Sequence, residues 1–172
     1  MLTKTEGKVT FVGKPVVLLG DEAKVGTKAP DFKVVNGALE EESLSKYDGK
    51  VRILSIFPSV DTGVCATQNR VFNKRAVELG EDIVILSISN DLPFAQKRFC
   101  GAEGIDKVVM LSDYQQVDFG TKYGFLIGGL RLLARGTVVI DKEGIIRHVE
   151  YVPEIAQEPD YEAALNIAKT LV

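Results

Sequence analysis

The 172-residue chain is predicted to fold as an α/β domain around a mixed sheet. Three features predict this. Two short runs, Val51–Phe57 (VRILSIF) and Ile83–Ser89 (IVILSIS), are apolar and rich in β-branched residues, as strands buried on both faces are. The segment between them carries apolar residues at helical spacing, so the rhythm is strand, helix, parallel strand. Near the end, Gly136–Asp141 and Ile145–Tyr151 flank Lys142-Glu143-Gly144 and read as an antiparallel hairpin.

The elements follow in order. Lys8–Val12 alternates polar and apolar residues, Gly13-Lys14 makes a turn, and Pro15–Leu19 returns as the second strand of a hairpin. Phe32–Val35 is extended. Glu41–Tyr47 is a short helical turn ending at the turn signal Asp48-Gly49. After the first central strand, Pro58 stops the chain. A helix over Val64–Leu79 places Val64, Ala66, Phe72, Ala76 and Leu79 on its apolar side, and Gly80 closes it. Asp91 is placed to cap the next helix, with Pro93 in its first turn and a stop at Cys100-Gly101. Val108–Leu111 is a third strand and Tyr114–Tyr123 a further helix. Pro159–Leu171 closes the chain as a helix with Tyr161, Ala164, Leu165, Ala168 and Leu171 on one face.

Composition narrows the function classes. Apolar residues are 45% and charged residues 26%, which excludes a disordered chain or a rod. With 21 basic and 24 acidic residues the net charge is −3, so no global field draws the chain to nucleic acid or an anionic membrane. No apolar stretch has the length of a signal peptide or a membrane span, and the expected location is the cytoplasm. Cys65 and Cys100 are too few for a disulfide scaffold, which leaves catalysis or redox sensing as their use.

Several chemistries are missing. There is no G-x-x-x-x-G-K-S/T and no G-x-G-x-x-G, the common phosphate-binding patterns. There is no G-x-S-x-G, and the single histidine, His148, lies in a strand-like segment and reads as structural. Two distant cysteines and one histidine do not make a zinc site, and no C-x-x-C is present.

What remains is Phe57-Pro58-Ser59-Val60-Asp61-Thr62-Gly63-Val64-Cys65. A buried strand stops at a proline, a loop follows, and a cysteine enters the first turn of a helix. Unpaired backbone N–H groups and the positive helix end favour the thiolate there, and the thiolate is the nucleophile. Thr62, three residues earlier, can set a hydroxyl beside the sulfur. On position alone, an inert buried cysteine explains Cys65 equally well.

The whole pattern says more. Pro58-x-x-x-Thr62-x-x-Cys65 resembles the active-site signature of the peroxiredoxins. FPSVDTGVC, with Arg98-Phe99-Cys100-Gly101, is similar to their thiol peroxidase branch. The hairpin, Gly26-x-x-Ala29-Pro30-Asp31-Phe32, Leu133-Ala134-Arg135 and Glu158-Pro159-Asp160-Tyr161 fit the same family in the same order. The resemblance implies a thioredoxin-like fold, a central mixed sheet flanked by helices, in one domain over 1–172. Residues 1–20 form an added N-terminal β-hairpin.

It also implies roles. Cys65 corresponds to the peroxidatic cysteine, which a hydroperoxide oxidises to sulfenic acid. Thr62 corresponds to the threonine that hydrogen-bonds peroxide and thiolate, and Pro58 to the proline that shields the sulfur. Arg135 corresponds to the active-site arginine, with Arg131 a nearby competitor; taken alone, an arginine before a strand is usually a surface residue. Cys100 corresponds to the resolving cysteine. The resemblance implies a Cys65–Cys100 disulfide within one chain, and a 35-residue loop of that kind is worth about 3–4 kcal/mol by chain entropy. A helix ending at Gly101 would unravel at low cost to let the bridge form. Gln68 stands where many peroxiredoxins carry Glu. The implied substrates are hydrogen peroxide and organic hydroperoxides, with no metal or organic cofactor. The implied partners are a thioredoxin-like reductant and a second copy in a homodimer. Two rival readings share these residues: a redox sensor or relay using the same cysteine pair, and a binding domain with two inert thiols.

Overall fold

The computed structural model describes residues 1–172. Its elements are β1 (Lys4–Phe11), β2 (Lys14–Leu19), β3 (Lys33–Val35), β4 (Glu41–Ser43), a 3-10 turn (Leu44–Tyr47), β5 (Val51–Ile56), α1 (Gly63–Ala76), β6 (Ile83–Ser89) and α2 (Pro93–Glu103). Then come β7 (Val109–Ser112), α3 (Asp118–Tyr123), β8 (Leu126–Ile127), β9 (Gly136–Ile140), β10 (Ile146–Tyr151) and α4 (Tyr161–Thr170).

Seven strands form the main sheet in the order β10-β9-β5-β6-β7-β3-β4. β5, β6 and β7 are parallel, and β9, β10, β3 and β4 are antiparallel to their neighbours, so the mixed sheet predicted from the sequence is present with both edges antiparallel. A three-stranded sheet, β1-β2-β8, carries the N-terminal hairpin.

The strand period of two divides the core. Leu54, Ile56, Leu86, Ile88, Val138 and Ile140 face Phe32, Phe119, Tyr123 and Phe125 on one side of the sheet. Val51, Ile53, Ile83, Ile85 and Val139 face Phe72 of α1 and Ala164, Leu165 and Ala168 of α4 on the other. At the upper end of that second side, Phe57, Val60 and Cys65 pack with Phe99 of α2 and Ile105.

Six local expectations are corrected. The hairpin turn is Val12-Gly13, one residue earlier than expected, because Phe11 pairs with Lys14. The segment Glu41–Tyr47 opens as strand β4, where Glu41–Ser43 pairs with β3, and only then turns helical. α1 ends at Ala76, ahead of Leu79. α2 does not stop at Gly101: it runs to Glu103 and ends at Gly104, which takes the left-handed conformation (φ 67°) that closes helices. Asp91 is not its cap; the Ncap is Leu92. The Asp91 carboxylate instead accepts from the Val60 N–H (2.9 Å), the Ser59 hydroxyl (2.8 Å) and the Ser89 hydroxyl (2.6 Å). It thereby ties the loop before α1 to the loop before α2. The helix expected over Tyr114–Tyr123 is reduced to α3. Asp113 turns its carboxylate onto the N–H groups of Phe119 and Gly120, so the chain enters the helix only at Asp118.

Candidate active site

Thr62 is the Ncap of α1: its backbone is extended (φ −102°, ψ 146°) and its Oγ1 accepts from the Cys65 N–H at 3.2 Å. Cys65 is therefore the third residue of the helix, inside the turn whose N–H groups lack helical partners. The stripe that α1 buries is Cys65, Gln68, Asn69 and Phe72, at i, i+3, i+4 and i+7. Val64 and Ala66, expected on the apolar side, are only half buried. Asn69 Nδ2 donates to the Cys65 carbonyl at 2.9 Å, fastening the first turn of the helix. Pro58 is buried at the end of β5.

Arg135 arrives from the far side of the chain. Gly136 starts β9, and there a Cβ would lie 2.0 Å from the Glu150 carbonyl oxygen and 2.6 Å from the Phe125 ring. Only glycine lets β9 approach so closely, and that approach seats Arg135. Arg135 is 2% exposed and Cys65 is 0% exposed. Nε donates to the Ile155 carbonyl at 2.7 Å, Nη1 to Gln68 Oε1 at 2.7 Å, and Nη2 to Cys65 Sγ at 3.2 Å. Gln68 can only present its oxygen to Arg135, because its Nε2 is spent on Ser55 Oγ (2.9 Å) and the Ile56 carbonyl (3.2 Å).

The charge arithmetic of this cluster is simple. A buried cation needs a counter-charge. Arg52, the other fully buried arginine, has the Asp48 carboxylate at 3.1 Å. Arg135 has two neutral oxygens and one sulfur, and the thiolate of Cys65 is the one anion its bonded neighbours can supply. Arg131, by contrast, is exposed, and its carbonyl accepts from Asn90 Nδ2 at 2.6 Å.

Cys100 lies on α2, half buried, with its side chain against the Phe57, Val60, Cys65, Phe99 and Ile105 cluster. Both cysteines are free thiols. Burial pushes the Cys100 thiol up from its ordinary range. Cys65 is sealed from solvent, while Cys100 borders a cleft, and two clefts flank α2. One, of about 350 Å³, lies between the first turn of α1 and α2 and is lined by Val60, Thr62, Gly63, Ala66 and Phe99. The other, also about 350 Å³, is lined by Pro93, Gln96, Lys97, Cys100 and Met110.

Sequence reasoning reached Thr62, Cys65 and Arg135, which the structure brings together. It left the role of Gln68 in orienting Arg135 open, read Asp91 only as a helix cap, and missed Asn69, Ser55 and the Ile155 carbonyl. The i+3 and i+4 spacing from Cys65 was the available signal for Gln68 and Asn69.

The fold and this buried cysteine–arginine pair describe a thiol-based redox protein on a thioredoxin-like sheet. The Redoxin family model matches residues 24–165. The thiol peroxidase of Oceanobacillus iheyensis is 54% identical over 158 residues, covering 92% of this chain and 96% of that one. The Bacillus subtilis thiol peroxidase is 52% identical, covering 96% and 98%. A peroxiredoxin-like protein from Aquifex aeolicus superposes with a TM-score of 0.90 at 40% identity, covering 97% of this chain and 99% of that one. A thiol peroxidase from Chromobacterium violaceum shares the fold, with a TM-score of 0.82 at 19% identity over 94% and 95%. The chain belongs to the redoxin family, in its thiol peroxidase branch, and is a peroxiredoxin-type, thiol-dependent peroxidase.

Proposed function

We propose that the chain reduces hydrogen peroxide and organic hydroperoxides through Cys65, with Cys100 as the resolving thiol and a thioredoxin-like protein as reductant. The observation that carries this reading is the buried Arg135 guanidinium, which has no carboxylate partner and donates to the Cys65 sulfur at 3.2 Å.

The Cys65 thiolate attacks the terminal peroxide oxygen. An S–O bond forms, the O–O bond breaks, and the leaving oxide takes a proton to depart as water or alcohol. Arg135 donors aimed at the sulfur are also aimed at the charge that passes from sulfur to oxygen, which favours the transition state. Thr62, whose oxygen accepts the Cys65 N–H, keeps a hydroxyl proton to donate to the peroxide. The sulfenic acid on Cys65 is then attacked by Cys100: an S–S bond forms, the S–O bond breaks, and water leaves. A dithiol reductant exchanges with that disulfide, restoring both thiols and leaving oxidised itself. α2 has to loosen for Cys100 to reach the sulfur, since Cys65 is fully buried while Cys100 sits half buried on α2 beside a separate cleft, and the two are unbonded. The chain acts in the cytoplasm as a homodimer on this reading; no helix is long and apolar enough to cross a membrane.

The deciding experiment is peroxide consumption by Cys65→Ser in the presence of thioredoxin, its reductase and NADPH. Activity is expected to vanish, and sustained turnover by the variant would overturn the mechanism. Rapid oxidation of the unmodified protein without thioredoxin-dependent turnover would make it a relay.

A further inference from the structure

We infer that Glu154, acting through the N-terminal hairpin, is a positioning residue for Arg135. The inference rests on the proposed role of the Cys65–Arg135 pair and adds a residue to it that lies outside the pocket.

The chain of contacts is short. The hairpin turn places Val12 (φ 50°) and Gly13 (φ 77°) in the left-handed region. Glycine adopts this freely, but a β-branched valine does so under strain, and Val12 is 73% exposed with no packing to compensate. The turn is held from outside. The Glu154 carboxylate accepts from the Val12 N–H (3.1 Å), the Gly13 N–H (2.7 Å), the Thr10 hydroxyl (3.0 Å) and the Ala156 N–H (2.7 Å). These donors hold the carboxyl down at about 2, so it stays ionised throughout the physiological range.

The next residue carries the effect into the site. Past the end of β10, the chain at 153–155 pairs with the hairpin: the Thr10 N–H donates to the Pro153 carbonyl and the Ile155 N–H to the Thr10 carbonyl, both at 2.8 Å. The carbonyl of the same Ile155 accepts from Arg135 Nε at 2.7 Å. The guanidinium is a rigid planar fork. Once Ile155 and Gln68 fix Nε and Nη1, the direction of Nη2 toward Cys65 is fixed as well. Glu154 thus orients the cation by holding the strand that holds the Ile155 carbonyl.

The test uses the full-length protein, reduced, in single-turnover stopped flow with hydrogen peroxide, with iodoacetamide alkylation of Cys65 as a second readout. Glu154→Ala is expected to slow Cys65 oxidation about tenfold, the scale of a small misplacement of a catalytic group. Alkylation is expected to slow with it. Glu154→Gln, which keeps one acceptor oxygen, should fall between the two and serves as the measured variant if Glu154→Ala does not fold. Val12→Asn relaxes the turn while keeping the backbone N–H that Glu154 accepts, and should leave both rates unchanged. In an Arg135→Ala background the Glu154 substitution should add less than about a twofold loss, because acting through one residue is non-additive. Equal losses in both backgrounds, or no loss in a folded Glu154 variant, would overturn the inference. If the unmodified protein does not react with peroxide, the proposed function fails, and the alkylation rates alone decide whether Glu154 is coupled to Cys65.

Discussion

Arg135 and Cys65, seventy positions apart in the chain, meet at 3.2 Å in a pocket closed to solvent, and no carboxylate competes for the guanidinium. Removing the cation should therefore act on both the thiolate and the reaction. Arg135→Ala is expected to slow single-turnover oxidation by about 10²–10³-fold, the usual loss for one preorganised donor at a developing charge. Arg131→Ala, at an exposed residue, should change the rate less than about twofold. Equal losses from the two would assign the wrong arginine.

Gln68 is the second handle on the same guanidinium. Gln68→Leu leaves Arg135 Nη1 and Ser55 Oγ buried without their present partner. An unfolding free energy lower by about 1–3 kcal/mol is expected, together with slower Cys65 oxidation. Chemical denaturation and stopped flow on one sample check both. Loss of stability at an unchanged rate would confine Gln68 to packing.

The central strands were legible because strands buried on both faces are mostly apolar: Val51–Ile56 is interrupted only by Arg52 and Ser55, and Ile83–Ser89 only by Ser87 and Ser89. The burial of Gln68 and Asn69 was not, since hydrophobic periodicity marks a buried stripe only when that stripe is apolar, and half of this one is polar. The end of α2 was misplaced because Gly101 and Gly104 both read as stops; the choice lies in a backbone angle, φ 67° at Gly104, that composition does not carry. Asp91 had the look of a cap by position, yet Ser59 and Val60, thirty-odd residues away, bind it instead. Long-range contacts of this kind leave no local signal.

Asp91 joins the loop entering the Cys65 helix to the loop entering the Cys100 helix, and Gln96 of α2 reaches the same Ser89 hydroxyl at 3.0 Å. Asp91→Ala is expected to slow peroxide attack, since it frees the loop that carries Pro58 and Val60. It should also speed disulfide formation, which needs α2 to loosen. Opposite changes in the two steps, with faster amide exchange over 94–100, are the signature. Two rates falling together would mean general damage.

Cys100→Ser should leave the first oxidation of Cys65 nearly intact and block turnover with thioredoxin. The sulfenic acid should persist, trap with dimedone, and pass to sulfinic acid under excess peroxide. In the unmodified protein, burial holds the Cys100 thiol up, so the thiolate needed for resolution is scarce at neutral pH. The rate of disulfide formation should accordingly keep rising with pH beyond the range of an ordinary thiol. Peptide mapping of the oxidised protein should find the Cys65–Cys100 bridge within one chain; a bridge between chains would refute the intramolecular cycle.

The Glu154 clasp fixes an acid limit for the hairpin. Its carboxyl is held at about 2, against an ordinary 4.5. A carboxyl lowered by folding binds fewer protons in the native state, so it stabilises above the ordinary value and that stabilisation drains away as the pH falls toward about 2. The stability difference between the unmodified protein and Glu154→Gln, from urea unfolding, should be full at pH 6 and shrink steadily below pH 4.5. A difference independent of pH would show that the ionised form is not what holds the turn.

The reach from Cys65 to Arg135 and on to Ile155 also sets an order in time. A ribosome making about 5–20 residues per second finishes Cys65 roughly 4–14 seconds before Arg135, and Ile155 follows later still. Throughout that interval the growing chain carries Cys65 without Arg135. On the proposed mechanism, reactivity toward oxidants would then belong to the completed polypeptide, and an abortive fragment ending before Arg135 would keep an unarmed thiol.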